Sequence, residues 1–395
     1  MGHALDRLFW NSHKKSTESE VTVSRFSGQR ILGPYFNGSK LHDPKPKSGD
    51  RSIYAQMLTA LMVVALLVTS LFALSSGAAE VNINSTMSYI FSFGQSLEIN
   101  AYERVILETI RLPRVILGIL IGASLAVSGA VMQGLFRNPL ADPGIVGVAS
   151  GAGLGAVSFI VLGTSYLAPV ATFFGIYHVP IAAFLGGLLT TFLLYRVSTR
   201  GGHTSVATML LAGIALGALA GACTGILVFI ADDEQLRDLT FWQLGSLAGA
   251  TWTKIFAIAP IILPILCLSA FLAKGLNAMT LGEATARHLG INVQIFKRIT
   301  IIAVAASTGA AVAVSGGIGF VGIVVPHLLR LWIGPDHKYL LPACALLGAI
   351  MLLLADTVAR QIVAPAELPI GIITATIGAP FFLWILLRKR SLLDL

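Results

Sequence analysis

Charged residues are scarce in this sequence. Lysine, arginine, aspartate and glutamate make up 12% of its 395 residues, against roughly 25% in soluble globular domains. Hydrophobic residues account for 55%, and the mean hydropathy is +0.81. So apolar a chain cannot place most of its side chains in water, which excludes a soluble protein; a vectorial membrane enzyme or a passive channel is a less favoured alternative. Because lipid cannot satisfy free backbone groups, we predict an all-α integral membrane protein.

Motifs for chemistry are missing as well. There is no Walker A loop, no HExxH or CxxC motif and no serine nucleophile elbow. The three cysteines lie in apolar stretches without metal or disulfide spacing, so we expect small buried thiols at Cys223, Cys267 and Cys344. We predict that the chain has no catalytic residue, no metal and no cofactor of its own. Energy for transport must then come from a partner or an ion gradient.

Acidic residues are few within the apolar segments. Ion-coupled carriers usually keep carboxyl groups inside their helices, and Asp356 is the clearest case here. This scarcity favours an ATP-driven transporter over an ion-coupled secondary carrier, which is retained as the less favoured alternative.

The first apolar segment begins after a polar stretch. Residues 1–51 are basic and hold no apolar run that fits a signal peptide, so we predict a disordered cytoplasmic tail. Residues 52–395 are predicted to form the membrane domain. The formal net charge of +8 does not indicate nucleic acid as a partner, because the basic residues lie mostly between apolar segments.

Ten apolar segments follow, each near the ~20 residues that cross a bilayer as a helix. Lysine and arginine are concentrated in the loops that an N-in, C-in orientation places inside, which predicts that orientation. The predicted segments lie at about 55–75, 111–134, 142–162, 169–196, 205–231, 253–273, 294–315, 318–334, 339–362 and 370–388.

One octapeptide occurs twice. Gly122–Gly129 returns as Gly309–Gly316 with six of eight positions identical, in the second and seventh segments. An odd number of segments separates the copies, so they run in opposite directions through the membrane. The pattern predicts an inverted repeat of helices 2–5 and 7–10, as in many transporters. A chance match is the alternative, since such sequences are common in membrane helices.

The loop between the sixth and seventh segments has helical character. Near residues 275–292 it predicts a short amphipathic helix that starts at Gly282, pairs Glu283 with Arg287 at i, i+4 and stops at Gly290. Such a helix on the cytoplasmic face can dock into another protein's groove, or it can be a connector on the membrane surface.

Eight stretches of the sequence carry recognisable motifs. They are Arg111–Arg114, Ser128–Gly144, Leu211–Gly217, Phe241–Ser246, Leu281–Gly290, Gly319–His327, Leu354–Arg360 and Glu367–Gly371. In these stretches the chain resembles one family, the permeases of ABC importers for cobalamin, haem and ferric siderophores. The stretches occur in the expected order over about residues 55–390, and the family has ten helices per subunit.

The resemblance implies a set of partners. It implies a homodimer in the bacterial inner membrane with the translocation path on its axis, a periplasmic binding protein outside, and two ATP-binding-cassette subunits inside that hold ATP and Mg²⁺. The binding protein would be gripped by outward-facing arginines, Arg111, Arg114 and Arg360; headgroup anchoring is the alternative for the first two. The ATPase subunits would dock on Gly282, Glu283, Ala284, Arg287, Leu289 and Gly290.

The cargo prediction rests on the branch that the chain resembles most. Asp232–Ser246 and Met132–Gly144 resemble the haem permeases. Arg237, doubled by the dimer, would receive the two haem propionates; a salt bridge to Asp233 or Asp238 is the alternative. Ser150 and Gly151 are further candidates for lining the path. A ferric-siderophore or cobalamin permease remains the alternative function.

Two histidines are weighed as ligands for the haem iron. His327 belongs to a Pro-His motif shared across the family and is interpreted as structural, and His178 is expected to be solvated in an outer loop. Tight ligation would also oppose release of the cargo.

Overall fold

The computed structural model describes residues 51–77, 86–89, 100–144, 147–200, 203–364 and 366–388. The predicted tail, except for Arg51, lies outside the described residues. A two-stranded hairpin, β1 (Thr199–Arg200) and β2 (His203–Thr204), interrupts the helices. The helices are α1 (Ser52–Ser75), α2 (Ala101–Phe136), α3 (Val148–Leu162), α4 (Ala168–Phe174), α5 (His178–Ser198), α6 (Val206–Ile230), α7 (Asp233–Leu244), α8 (Trp252–Thr280), α9 (Glu283–His288), α10 (Val293–Ser315), α11 (Val321–Ile333), α12 (His337–Ile362) and α13 (Ile370–Arg388).

The all-α membrane architecture is confirmed. Seven stretches of the described chain are helical, long and apolar enough to cross a membrane, namely α1, α2, α4 with α5, α6, α8, α10 and α12. The apolar parts of α3, α11 and α13 are shorter, at 10–17 residues. These ten stretches overlap the ten predicted segments, although a full crossing by the three short ones stays a prediction. The orientation and the inverted repeat also stay predictions.

We use the predicted orientation to name the two sides. The helix ends near Ser75 and Ile362 form the outer side, and those near Ser198, Thr280 and Val293 form the inner side.

Two predicted segments begin later than the sequence suggests. The third was expected to start at residue 142, but α3 begins at Val148 because Asp142, Pro143 and Gly144 form a turn. The eighth was expected at 318, but α10 ends at Ser315, the following Gly316 has φ +70°, and α11 begins only at Val321. A 15-residue helix such as α3 is only about 22 Å long. Irregular chain over residues 316–320 thus joins α11 to α10.

The centre of the fold is α2, which packs against α8, α10, α11 and α12. Glycines allow this enclosure: a Cβ atom on Gly122 would lie 2.4 Å from the carbonyl oxygen of Gly348, and one on Gly129 would lie 1.9 Å from that of Gly322. Ser124 Oγ lies 2.8 Å from Ser307 Oγ and links α2 to α10. Close backbone approach through small residues is how membrane helices pack without a hydrophobic drive between them.

Candidate functional site

A buried ion cluster lies at the outer side. The guanidinium of Arg114, in α2, donates to both carboxylate oxygens of Asp356 at 2.8–3.0 Å and to Glu367 at 2.9 and 3.0 Å. Arg360 Nε lies 3.1 Å from Asp356 one turn earlier in α12. Because a buried charge is costly unless it is paired and hydrogen-bonded, this cluster fixes α2 and α12 to each other.

Two arginines of this region also complete the end of α1. Arg111 donates to the carbonyl oxygens of Leu74 and Ser75 at 2.6 and 2.9 Å. Arg360 donates to those of Ser76 and Ala73 at 2.8 and 3.2 Å. The last carbonyls of a helix have no partner within it and carry the negative end of its dipole. The two guanidinium groups therefore cap α1 from neighbouring helices.

These positions differ from the exposed ones that the sequence suggested. Arg111, Arg114 and Arg360 are only 3%, 6% and 7% exposed. The idea of outward-facing guanidiniums, and with it headgroup anchoring, is wrong for this structure, because Asp356, Glu367 and the end of α1 supply their partners from within. Of the cluster, Glu367 is the most accessible, with 38% of its side chain exposed. The docking role itself stays a prediction.

On the inner side, α9 is shorter than the predicted helix. Residues 275–280 complete α8, and α9 spans only Glu283–His288. Gly282 and Gly290 flank it with φ +107° and +84°, and no atom lies within 4 Å of a Cβ built on either. The glycines are needed there for their backbone conformation, since only glycine adopts it without strain. They give α9 a sharp beginning and a sharp end.

The predicted pair between Glu283 and Arg287 does not form. Glu283 instead binds Lys297 of α10 at 2.7 Å, and Lys297 Nζ also donates to the carbonyl oxygen of Thr204 in β2 at 3.2 Å. Lys297 is 2% exposed, so its attraction to Glu283 is screened less than that of an i, i+4 contact in water, and this attraction offsets the cost of burying the ammonium group. Arg287 remains exposed and, within the described part of the chain, has no ion-pair partner.

Sequence reasoning missed Lys297 as a site residue. It was counted only among the basic residues that set the orientation. Lys297 and Arg298 are the only charged residues of α10, and a charge inside such a helix is a signal by itself, because it usually faces the protein interior and finds a partner there. Through it, α9 is tied to the hairpin between α5 and α6.

The free surface of α9 carries most of the predicted docking residues. Ala284, Arg287, Leu289 and Gly290 are exposed, and Leu281 next to the helix is exposed as well. An apolar surface with one free cation fits a protein groove better than bulk water. Glu283, by contrast, faces back into the permease.

On the outer side, Arg237 lies on a helix and not in a loop. Asp232 accepts from the Gln235 amide, and the Gln235 side chain accepts from the Asp232 amide, so a capping box starts α7. Arg237 is exposed, and among the described residues no carboxylate, including Asp233 and Asp238, lies within ion-pair distance of it. The salt-bridge alternative is therefore not formed in this structure.

The other two predicted path residues, Ser150 and Gly151, differ in how far they are buried. Gly151 is buried where α3 crosses α5, since a Cβ there would lie 2.1 Å from Thr190 Oγ1 and 2.4 Å from the Gly186 carbonyl. A lining role for Gly151 is thus wrong, because the backbones meet there. Ser150 is half-buried, facing Gly217 of α6, where a Cβ would lie 3.4 Å from the serine Oγ.

Neither histidine weighed as an iron ligand is a free ligand here. His327 is buried in α11, with its ring 6.3 Å from that of Phe381. His178 begins α5, half-buried, with Nδ1 against the Gly175 carbonyl and its ring 6.0 Å from Phe159. The expectation of a solvated loop residue is wrong for His178.

Comparison with known proteins identifies the family. The FecCD transport family matches residues 65–388. The hemin transport system permease protein HmuU of Yersinia pestis is 49% identical over 282 residues, covering 71% of this chain and 83% of that protein. The vitamin B12 import system permease protein BtuC of Klebsiella pneumoniae is 39% identical over 330 residues, covering 84% and 93%.

The fold agrees with a solved structure. An inward-facing conformation of an ABC transporter of the metal-chelate type superposes with a TM-score of 0.73 at 31% identity, covering 84% of this chain and 99% of that one. With a family match over most of its length and the same helical fold, this chain belongs to the FecCD transport family, whose members are the membrane permease subunits of ABC importers and leave ATP hydrolysis to separate subunits.

Proposed function

We propose that this chain is the permease of a haem importer in the bacterial inner membrane. The observation that carries the proposal is the 49% identity to a hemin permease over 71% of the chain. Haem would cross from periplasm to cytoplasm by alternating access at a homodimer axis. ATP and Mg²⁺ would be held by two partner ATPase subunits, and a periplasmic protein would deliver the haem.

The surface of α6 supports the homodimer. Most of its residues are exposed, and Gly217, Gly221 and Gly225 follow one another at intervals of four. No atom lies within 4 Å of a Cβ built on Gly221 or Gly225. Glycines at this spacing let two membrane helices approach closely, so we place α6 at the dimer axis.

The position of Arg237 supports an anionic cargo. It stands on α7, which directly follows α6 on the outer side, so a dimer through α6 would bring two copies of it near the axis. Haem carries two propionates, and a guanidinium binds a carboxylate through two parallel hydrogen bonds. The acidic neighbours Asp233 and Asp238 oppose this role, because their carboxylates repel the propionates.

Docking of the binding protein requires an exchange of partners at the outer cluster. Arg114 is held by Asp356 from within and by Glu367 at the accessible side. A carboxylate of the binding protein reaches Arg114 only by taking the place of Glu367. We therefore propose that Glu367 occupies this arginine while no binding protein is present.

A cobalamin permease is the second candidate. A cobalamin permease of Halobacterium salinarum is 46% identical over 288 residues, close to the value for the hemin permease. Cobalamin has no pair of propionate carboxylates and carries a single phosphodiester, so it matches two Arg237 side chains less well than haem does. A ferric-siderophore permease stays a third possibility within the same family.

The test is uptake by proteoliposomes that contain the permease, its ATPase and its binding protein. We expect ATP-dependent accumulation of labelled haem and little competition from excess cobalamin or ferric siderophore. Accumulation of cobalamin but not of haem would show that the cargo is cobalamin, while the ATP-driven importer mechanism would stand. Accumulation driven by an ion gradient without ATP would contradict the importer mechanism itself.

A further inference from the structure

An apolar groove lies between α5 and α10 near the inner side. It encloses about 420 Å³, within the range of roughly 300–1,000 Å³ typical of ligand pockets. Its buried floor is Thr191, Ile301 and Ala305, and its walls include the exposed side chains of Phe192 and Ile302. Thr191 Oγ1 donates to the Gly187 carbonyl at 2.8 Å, so its hydroxyl is satisfied within its own helix.

The inner end of the groove is polar. Tyr195 of α5 and Arg298 of α10 line it there, and Arg298 Nε donates to the tyrosine hydroxyl at 3.4 Å. Arg298 is exposed and makes no ion pair with any described residue. The groove reaches Leu188 and Ala305, seven residues along each helix, which corresponds to about 10 Å of depth.

The charge around this end has one sign. Arg196 and Arg200 are exposed at the end of α5 and in the hairpin, and Glu283 of the neighbouring α9 is bound to the buried Lys297. The groove thus has a basic end and an apolar length, on a surface that lies in the membrane. It matches a molecule with an anionic head and a hydrocarbon tail. Basic pockets between helices on the cytoplasmic side bind anionic lipid headgroups.

We propose that this groove binds an anionic phospholipid of the inner leaflet. One acyl chain fills the space between α5 and α10. The phosphate accepts hydrogen bonds from the Arg298 guanidinium and the Tyr195 hydroxyl, since arginine binds phosphate through its planar fork. The site is separate from Arg237 and the proposed haem path, and it is adjacent to Lys297, which holds α9.

The experiment counts bound lipid on the full-length permease. Detergent-purified protein is mixed with phosphatidylglycerol or phosphatidylcholine, and retained lipid is measured by native mass spectrometry. Arg298→Gln should lower phosphatidylglycerol occupancy about fivefold, as expected for one basic residue at a membrane surface, with a smaller effect on phosphatidylcholine. Arg137→Gln, an exposed arginine that directly follows α2 and does not line the groove, is the matched control and should retain wild-type occupancy.

A second variant separates the groove from the charge. Ile302→Trp fills the groove and keeps Arg298, so it should reduce retention of both lipids. Equal loss in Arg137→Gln, or unchanged occupancy in Ile302→Trp, would overturn the proposal. Displacement of the lipid signal by millimolar inorganic phosphate would reduce the site to a phosphate site. Disulfide crosslinking of Ile302→Cys between two permease copies would mean that protein, and not lipid, covers the groove.

Discussion

Lys297 Nζ lies 2.7 Å from the carboxylate of Glu283 and also donates to the carbonyl oxygen of Thr204. One buried ammonium group thus joins α9, where ATPase subunits are proposed to dock, to the hairpin that leads into α6. A displacement of α9 would be passed directly to the helix proposed to form the dimer axis. We therefore expect Glu283 to contribute to transmission of the movement more than to the docking surface.

The first prediction tests this pair. Glu283→Gln leaves the buried Lys297 charge without its carboxylate, and we expect a loss of about 1–3 kcal/mol in stability. This is less than the 3–5 kcal/mol for a fully buried pair, because 31% of the Glu283 side chain is exposed. Combining Glu283→Gln with Lys297→Met should recover part of this loss. The measurement is thermal unfolding of the two single variants and the double variant. Strictly additive losses would show that the two residues do not interact.

The second prediction concerns the docking surface itself. Arg287→Glu should reduce co-purification of the ATPase subunits several-fold without changing the melting temperature, because Arg287 is exposed and makes no ion pair within the described residues. Lys274→Glu is the matched control, since Lys274 is an exposed cation on α8. Wild-type co-purification of Arg287→Glu would remove this residue from the interface, and an equal loss with Lys274→Glu would indicate a general effect of charge.

The third prediction addresses the outer cluster. If Glu367 competes with the binding protein for Arg114, then Glu367→Gln should tighten binding by about two- to fivefold, the range of one accessible ion pair. Glu108→Gln is the control, an exposed outer carboxylate with its own partner, Arg104. Affinity is measured by surface plasmon resonance in low and high salt. Unchanged or weaker binding of Glu367→Gln would refute the exchange.

The fourth prediction concerns haem. Arg237→Ala should lower ATP-dependent haem uptake several-fold to tens-fold, since a charge-assisted hydrogen bond contributes about 1.5–3 kcal/mol when shielded and less in water. Arg237→Lys should recover part of the rate, because lysine lacks the planar fork. Asp238→Asn should keep or raise uptake by removing a repulsive carboxylate. If Arg237→Ala takes up haem at the wild-type rate with intact ATPase activity, Arg237 does not bind the propionates. The haem assignment then rests on sequence similarity alone.

The fifth prediction concerns glycine packing. Gly129→Ala places a methyl group against the Gly322 carbonyl, so we expect a loss of at least about 3 kcal/mol, at the upper end for overpacked cores. Gly221→Ala meets open space in the protomer and should leave its fold intact. Gel filtration and thermal unfolding distinguish the two variants. A well-folded Gly129→Ala protein would mean that α2 can move away from α11.

The sequence predicts local features well and side-chain partners poorly. The positions of the long helices can be predicted from the apolar segments, and the position of α9 from its two flanking glycines. Both signals are local, because they depend only on residues close by in the sequence. The partner of Glu283 could not be predicted, since Lys297 meets it only after α10 packs. The burial of Arg111 and Arg360 was missed for the same reason: their partners are carbonyl groups at the end of α1, which leave no mark in a sequence pattern.

The cap on α1 also sets an order for making the protein. Arg360 donates to Ser76 and Ala73 across 284 and 287 residues of sequence, so a helix synthesised early is completed by one synthesised late. Until α12 has been inserted, the carbonyl groups of Ala73 and Ser76 lack this donor, although Arg111 of α2 can already reach those of Leu74 and Ser75. A ribosome-bound chain that stops before α12 should therefore remain a substrate for membrane quality-control proteases, and resistance should appear only when Arg360 has left the exit tunnel.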